Sequence, residues 1–172
     1  FNECVVMASA ISKAADDQEK LALIESQLQD ATQIICDIYS RFRFEKSVFE
    51  KRPEEFMHAD TLCQLMTDAQ KASYGDGLDE ATLHPYMWVC KGHYYGPTFY
   101  NFPYAFGGLF ARGLYAQYEK EGAAFIPKYT KLLYTTPVAS AEDVAKVADI
   151  DLTDKAFWKD ALQTIADQIE AF

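Results

Sequence analysis

Hydrophobic residues recur at three- and four-residue steps through most of the chain, and the clearest run lies between residues 21 and 42. This spacing places apolar side chains on one face of a long amphipathic α-helix. Asp16 followed by Glu19 matches a capping pair at the start of that helix, and the helix is predicted to end before Pro53, which cannot continue it. The residues of the predicted apolar face are Leu21, Ile24, Leu28, Ala31, Ile35, Ile38 and Phe42.

Two further helices are predicted in the first half of the chain. Residues 1–15 carry helical spacing but no start signal, and the chain begins at Phe1 without a methionine, so we expect a piece of a longer chain. A second helix is predicted from Ala59 to Tyr74, and it ends at Gly75.

The second half of the chain continues the helical pattern. Pro103 suits the first turn of a long helix, and a short helix is predicted beyond Gly122. Ser140 with Asp143 begins another helix, and Thr153 is predicted to open the last one. No segment alternates with a period of two. The sequence therefore predicts an all-α helical bundle forming a single domain over residues 1–172.

Composition narrows the class of protein. Apolar residues make up 49% and aromatic residues 15%, as in a packed globular protein. The net charge of −10 disfavours nucleic acid and anionic membrane surfaces as partners. With no membrane-spanning run and no signal peptide in the sequence, we expect a soluble, cytoplasmic protein. The four widely spaced cysteines indicate buried free thiols.

Residues 83–106 combine glycine and proline with many aromatic side chains. His93 lies there between glycines, near Tyr94, Tyr95, Tyr100 and Tyr104, all of which offer hydrogen-bond donors. Such donors can stabilise the oxyanion that forms when a metal-bound water attacks a peptide bond. The alternative is an aromatic core cluster whose hydroxyl groups are satisfied internally.

The other candidate ligands are weaker. No H-E-x-x-H motif occurs, and no two histidines lie four residues apart. Cys90 and His93 have the spacing of half a zinc site, and coincidence is the alternative. His58 suits a solvated or capping role, and His84 a structural hydrogen bond. No metal is expected in this chain.

Several motifs together carry a resemblance to a known family. They are H-P-Y-M-W at residues 84–88, G-H-Y-Y at 92–95 and F-Y-N-F-P-Y-A-F-G-G-L-F at 99–110. This stretch is similar to the C-terminal signature of oligoendopeptidase F, a helical zinc metallopeptidase family of the thimet oligopeptidase type. The similarity extends to residues 41–45, 74–75, 125–129 and 140–143, so that essentially the whole chain is covered.

The resemblance implies a zinc site formed by H-E-x-x-H and a later glutamate. The opening residues 1–3 resemble the segment just after that glutamate, which would lie about one and a half helical turns before Phe1. This chain would then lack every zinc ligand, with Glu3 near the metal as an outer group. The family also implies a histidine and tyrosines facing the metal, which match His93, Tyr100 and Tyr104.

We therefore expect the C-terminal part of a metalloendopeptidase catalytic domain, with short peptides as substrates and zinc in the full-length parent. The fragment alone is expected to hold no zinc and to be inactive, and it could self-associate through surface that the rest of the domain would cover. The alternative is a non-catalytic helical interaction module built on a peptidase scaffold.

Overall fold

The computed structural model describes all 172 residues, and they form helices and connecting turns without any β-strand. The prediction of an all-α fold is confirmed. The α-helices are α1 (Asn2–Ser12), α2 (Asp17–Thr32), α3 (Ile38–Lys51), α4 (Ala59–Tyr74), α5 (Met87–Cys90), α6 (Phe102–Glu121), α7 (Ile126–Thr135), α8 (Ala141–Val147) and α9 (Lys155–Ala171). Short 3₁₀ turns cover Glu80–Thr82, Gly92–Tyr95 and Gly122–Phe125. No helix is both long enough and apolar enough to cross a membrane.

Side-chain caps fix several helix starts. The Glu19 amide donates to Asp16 at 2.8 Å, and the Ser140 hydroxyl accepts from the Asp143 amide at 3.2 Å, as the sequence predicts. The last helix differs from the prediction: its N-cap is Asp154, whose carboxylate accepts from the Ala156 amide, while Thr153 lies one residue before it.

A π-helical segment, Gln33–Asp37, joins α2 to α3. Buried positions recur at three- and four-residue steps on both sides of it. Within the predicted apolar face Ile24, Ala31 and Ile38 are buried, whereas Leu21 is exposed. Phe42 is exposed, whereas Arg41, Phe44 and Glu45 are buried.

The chain divides into two units, which we call the terminal unit and the middle unit. The terminal unit comprises residues 1–28 and 108–172. Its core is apolar, with Phe125 and Ala145 fully buried, and Gly113 in α6 leaves room for the Phe157 ring. The buried residues of this core are Leu114, Phe125, Leu132, Val144, Ala145, Ala148 and Ile150.

The middle unit comprises residues 29–107. Its apolar core is smaller and packs α3 against α4, with Met66 fully buried at the centre. Trp88 in α5 and Tyr94 in the 3₁₀ turn that follows it pack on this core. The buried core residues are Phe44, Leu65, Met66 and Ala69. The expectation of a single domain over residues 1–172 stays a prediction.

Candidate functional site

The structure brings His93, Tyr100 and Tyr104 together in the middle unit. His93 belongs to the 3₁₀ turn Gly92–Tyr95, Tyr100 lies in the following turn, and Tyr104 lies in the first turn of α6. Pro103 occupies the second helical position, where its missing amide hydrogen breaks no intrahelical bond. The helix start thereby directs Tyr104 toward the histidine.

Ring contacts and one hydrogen bond define the geometry of this cluster. The Tyr104 hydroxyl lies 3.4 Å from Nε2 of His93. The rings of His93 and Tyr100 are stacked, with centroids 5.6 Å apart and planes inclined by 17°. The Tyr100 and Tyr104 rings meet edge to face at 6.1 Å. All three side chains therefore border the same small volume.

Exposure distinguishes this cluster from an ordinary aromatic core. Tyr100 and Tyr104 are 46% and 44% exposed, and His93 is half-buried. When Nε2 carries the imidazole proton, it donates to the Tyr104 oxygen and the tyrosine proton is free to point outward. The carbonyl oxygen of a peptide that binds from solution can then accept a hydrogen bond from the Tyr104 hydroxyl.

A strained turn holds the segment that carries Tyr100. Phe99 has φ +54°, a left-handed conformation that is rare for a bulky residue and costs on the order of 1–3 kcal/mol. Its amide donates to Oε1 of Glu45 at 2.8 Å, and its ring lies 5.5 Å from both the Phe42 and Phe49 rings. The exposed Phe42 therefore has a local role in fixing the turn.

The tyrosines next to His93 in sequence point elsewhere. Tyr94 packs on the Phe44 ring at 5.1 Å, and its hydroxyl is buried without a hydrogen-bond partner. Burial raises the pKa of Tyr94, with the carboxylates of Asp37 and Glu45 adding to the shift and Arg41 opposing it. Tyr95 donates to the Trp88 carbonyl oxygen at 3.1 Å. Neither side chain forms a ring contact with His93.

Several other polar groups of the middle unit are buried. Arg41 pairs with Asp37, one helical turn earlier, and both are largely removed from water. Asn101 is 1% exposed, and neither of its amide atoms has a hydrogen-bond partner, nor does the buried Nδ1 of His93. Unpaired buried polar atoms are few in folded proteins, so their accumulation around one loop makes that loop a candidate functional region.

The remaining candidates from the sequence are not part of this cluster. His58 occupies the N-cap position of α4 but makes no side-chain cap, and its ring contacts Phe56 instead. The hydrogen bonds at His84 come from its backbone, which pairs with the Gln70 amide in both directions at 3.0 Å. Glu3 is exposed in the first turn of α1.

All four cysteines are free, as predicted, but none is fully buried, and Cys90 is exposed. Cys90 and His93 gain no third ligand, and no group of three His, Cys, Asp or Glu side chains is arranged to hold a metal ion. The residues present in this chain therefore do not form a zinc site.

Sequence reasoning missed Glu45, Phe99 and Asn101. Glu45 lies within a stretch of family resemblance, but it is charged, so hydrophobic spacing does not reveal that its side chain is buried. Phe99 and Asn101 lie among many similar loop residues, so nothing in their local sequence marks a left-handed turn or a buried amide.

Comparison with known proteins gives one distant similarity, to a peptidase. No family model matches the chain, and no solved structure matches it. The similarity is to Oligopeptidase PepF of Bacillus subtilis (strain 168), at 24% identity over 153 residues. It covers 88% of this chain and 23% of the relative, so the chain spans about a quarter of the length of the protein it resembles.

Proposed function

We propose that this chain is the C-terminal part of a metalloendopeptidase catalytic domain that hydrolyses short peptides in the cytoplasm. The observation that carries the proposal is the pair formed by the half-buried His93 and the exposed Tyr104, whose Nε2 and hydroxyl oxygen are 3.4 Å apart. The similarity to an oligopeptidase over most of the chain supports it.

Tyr104 acts as a donor to the oxyanion of the tetrahedral intermediate, and His93 orients it by donating from Nε2 to the Tyr104 oxygen. The carbonyl oxygen of the cleaved peptide bond gains negative charge as water adds, and a preorganised donor at that position is worth about 3 kcal/mol. Tyr100, stacked on His93 and half exposed, is a second donor or holds the peptide backbone. The turn anchored by Glu45 keeps Tyr100 in place.

The intact enzyme would use zinc, and its ligands and the glutamate base would be contributed by residues other than these 172. On its own, the chain is expected to bind no catalytic zinc and to cleave no peptide. Stoichiometric zinc together with measurable turnover from this chain alone would contradict that expectation.

A peptidase assay of the intact protein tests the role of His93. With an internally quenched peptide, His93→Ala should lower kcat/KM by about 10²- to 10³-fold, because Tyr104 loses the group that orients its hydroxyl toward the oxyanion. His84→Ala is the matched control, since His84 is an exposed histidine in the same unit whose hydrogen bonds are made by its backbone. We expect it to retain wild-type activity.

The assay also separates the two classes of function. An intact protein that cleaves no peptide, and whose function survives His93→Ala, would be a helical interaction module rather than an enzyme. Equal losses from His93→Ala and His84→Ala would assign the effect to folding instead of catalysis.

A further inference from the structure

The middle unit contains a cavity of about 700 Å³ that the proposed catalysis does not use. This volume lies in the range of small-molecule and side-chain binding sites. Its walls come from α3, from the turn after α3 and from the chain around His93, but His93 itself does not line it. The principal apolar wall residues are Phe49, Phe56, Met57, Leu62, Trp88 and Tyr95.

A buried carboxylate forms part of this cavity. Glu45 lines it and is only 5% exposed. Oε1 of Glu45 accepts from the Phe99 amide, whereas Oε2 is buried and has no hydrogen-bond partner. An ionised oxygen removed from water without a donor is unfavourable, so a ligand that supplies a donor is strongly favoured there.

The other charges at the cavity favour a cationic ligand. Glu54 and Glu55 also line it, against the single guanidinium of Arg52, so carboxylates outnumber cations. Aromatic faces add attraction for a cation, and the aromatic residues here include Phe56, which is 81% exposed. The carboxylates at the cavity would repel an anionic ligand. A purely apolar ligand would leave Oε2 of Glu45 without a hydrogen-bond partner.

Two neutral donors accompany the carboxylate. Trp88 and Tyr94 both line the cavity, and the indole nitrogen of the first and the hydroxyl of the second are buried without hydrogen-bond partners. The Trp88 nitrogen and the Tyr94 hydroxyl can donate to a carbonyl oxygen. A simple alkylammonium or alkylguanidinium ion has no carbonyl group, whereas an amino-acid residue within a peptide has one.

We propose that this cavity binds an arginine side chain of a peptide, with the guanidinium paired to Glu45 and the stem packed among Phe49, Phe56 and Trp88. Arginine fits better than lysine because its planar guanidinium stacks on aromatic rings and donates along two directions. The proposal concerns binding alone and does not depend on peptide cleavage.

A ligand-observed NMR titration with N-acetylarginine amide tests the proposal, and the citrulline analogue is the matched neutral ligand. The wild-type protein should bind the arginine compound at least about tenfold more tightly than the citrulline compound, as expected for a charge-assisted hydrogen bond. Equal affinity for the two compounds, or no binding of either, would overturn the proposal.

Substitutions at residues that line the cavity test whether arginine binds there. Glu45→Gln keeps an acceptor for the Phe99 amide but removes the charge, so the preference for arginine over citrulline should disappear. Phe56→Ser removes an exposed aromatic wall and should weaken arginine binding by roughly threefold or more. Tyr134→Ser is the control, because Tyr134 is 80% exposed in α7 and lies outside the cavity.

Circular dichroism checks that each variant is folded. If Glu45→Gln loses its native spectrum, the comparison of Phe56→Ser with Tyr134→Ser decides whether arginine binds in this cavity. An unchanged arginine affinity in Phe56→Ser, or the same loss in Tyr134→Ser, contradicts the proposed site.

Discussion

The two units bury different kinds of side chain. The terminal unit buries almost only apolar residues, with Gln27 as its one buried polar side chain. The middle unit buries Ser40, Arg41, Glu45, Gln70 and Asn101. Every buried side-chain polar atom without a hydrogen-bond partner lies in the middle unit, apart from Oε1 of Gln117.

The terminal unit therefore contributes mainly to stability, whereas the middle unit keeps buried polar groups that reduce stability. Apolar burial contributes roughly 25 cal/mol per Å², whereas an unpaired buried polar atom costs about 1–3 kcal/mol. A region that keeps such atoms in a folded protein gives up stability, and functional sites are the usual reason. The His93 cluster and the cavity beside Glu45 both lie in that region.

The largest effect is expected in the terminal core. Phe125→Ala removes a ring that is 0% exposed, and the resulting cavity should lower the free energy of unfolding by about 3–5 kcal/mol. Urea denaturation measures it. The neighbouring Ile126→Ala, at a side chain that is 42% exposed, should cost much less. Equal losses at the two positions would mean that the apolar core does not dominate this unit.

A matched pair of amide substitutions sharpens the comparison in the middle unit. Asn101→Leu replaces two unpaired polar atoms, so the free energy of unfolding should rise by about 1–3 kcal/mol. Gln70→Leu should instead lower it by a similar amount, because that amide bonds both backbone groups of His84. The same urea assay measures both variants. A loss of stability in Asn101→Leu would show that the buried amide is structural.

The smallest effect concerns a helix cap in the terminal unit. Ser140→Ala should lower the free energy of unfolding by about 1 kcal/mol, because the Asp143 amide loses its side-chain acceptor. Thr153→Ala is the control, since Asp154 caps α9. Thermal unfolding of both variants should show a lower Tm for Ser140→Ala, and a larger decrease for Thr153→Ala would contradict the observed cap.

Much of the helical fold could be predicted from the sequence. Helix α4 has the predicted bounds, and the capping pairs at Asp16 and Ser140 form as expected, because these signals are local. The π turn could not be predicted, since the buried positions before and after it keep the same three- and four-residue spacing. The burial of Arg41 and Glu45 could not be predicted either, because hydrophobic spacing selects apolar positions and both residues are charged.

The candidate site was predicted in part. Family resemblance selected His93, Tyr100 and Tyr104, and the structure places these side chains in contact. Their catalytic roles stay predictions. The support from Glu45 to Phe99 joins residues 54 positions apart, and sequence spacing carries no information on such a contact.

The central claim is that Tyr104 donates to the transition state, and the kinetics of Tyr104→Phe in the intact protein test it most directly. The substitution removes one hydroxyl and keeps the ring. We predict that kcat for an internally quenched peptide falls about 100-fold while KM changes little, as expected for an interaction made only in the transition state. An unchanged kcat, or the same loss in the exposed control Tyr134→Phe, would contradict the claim.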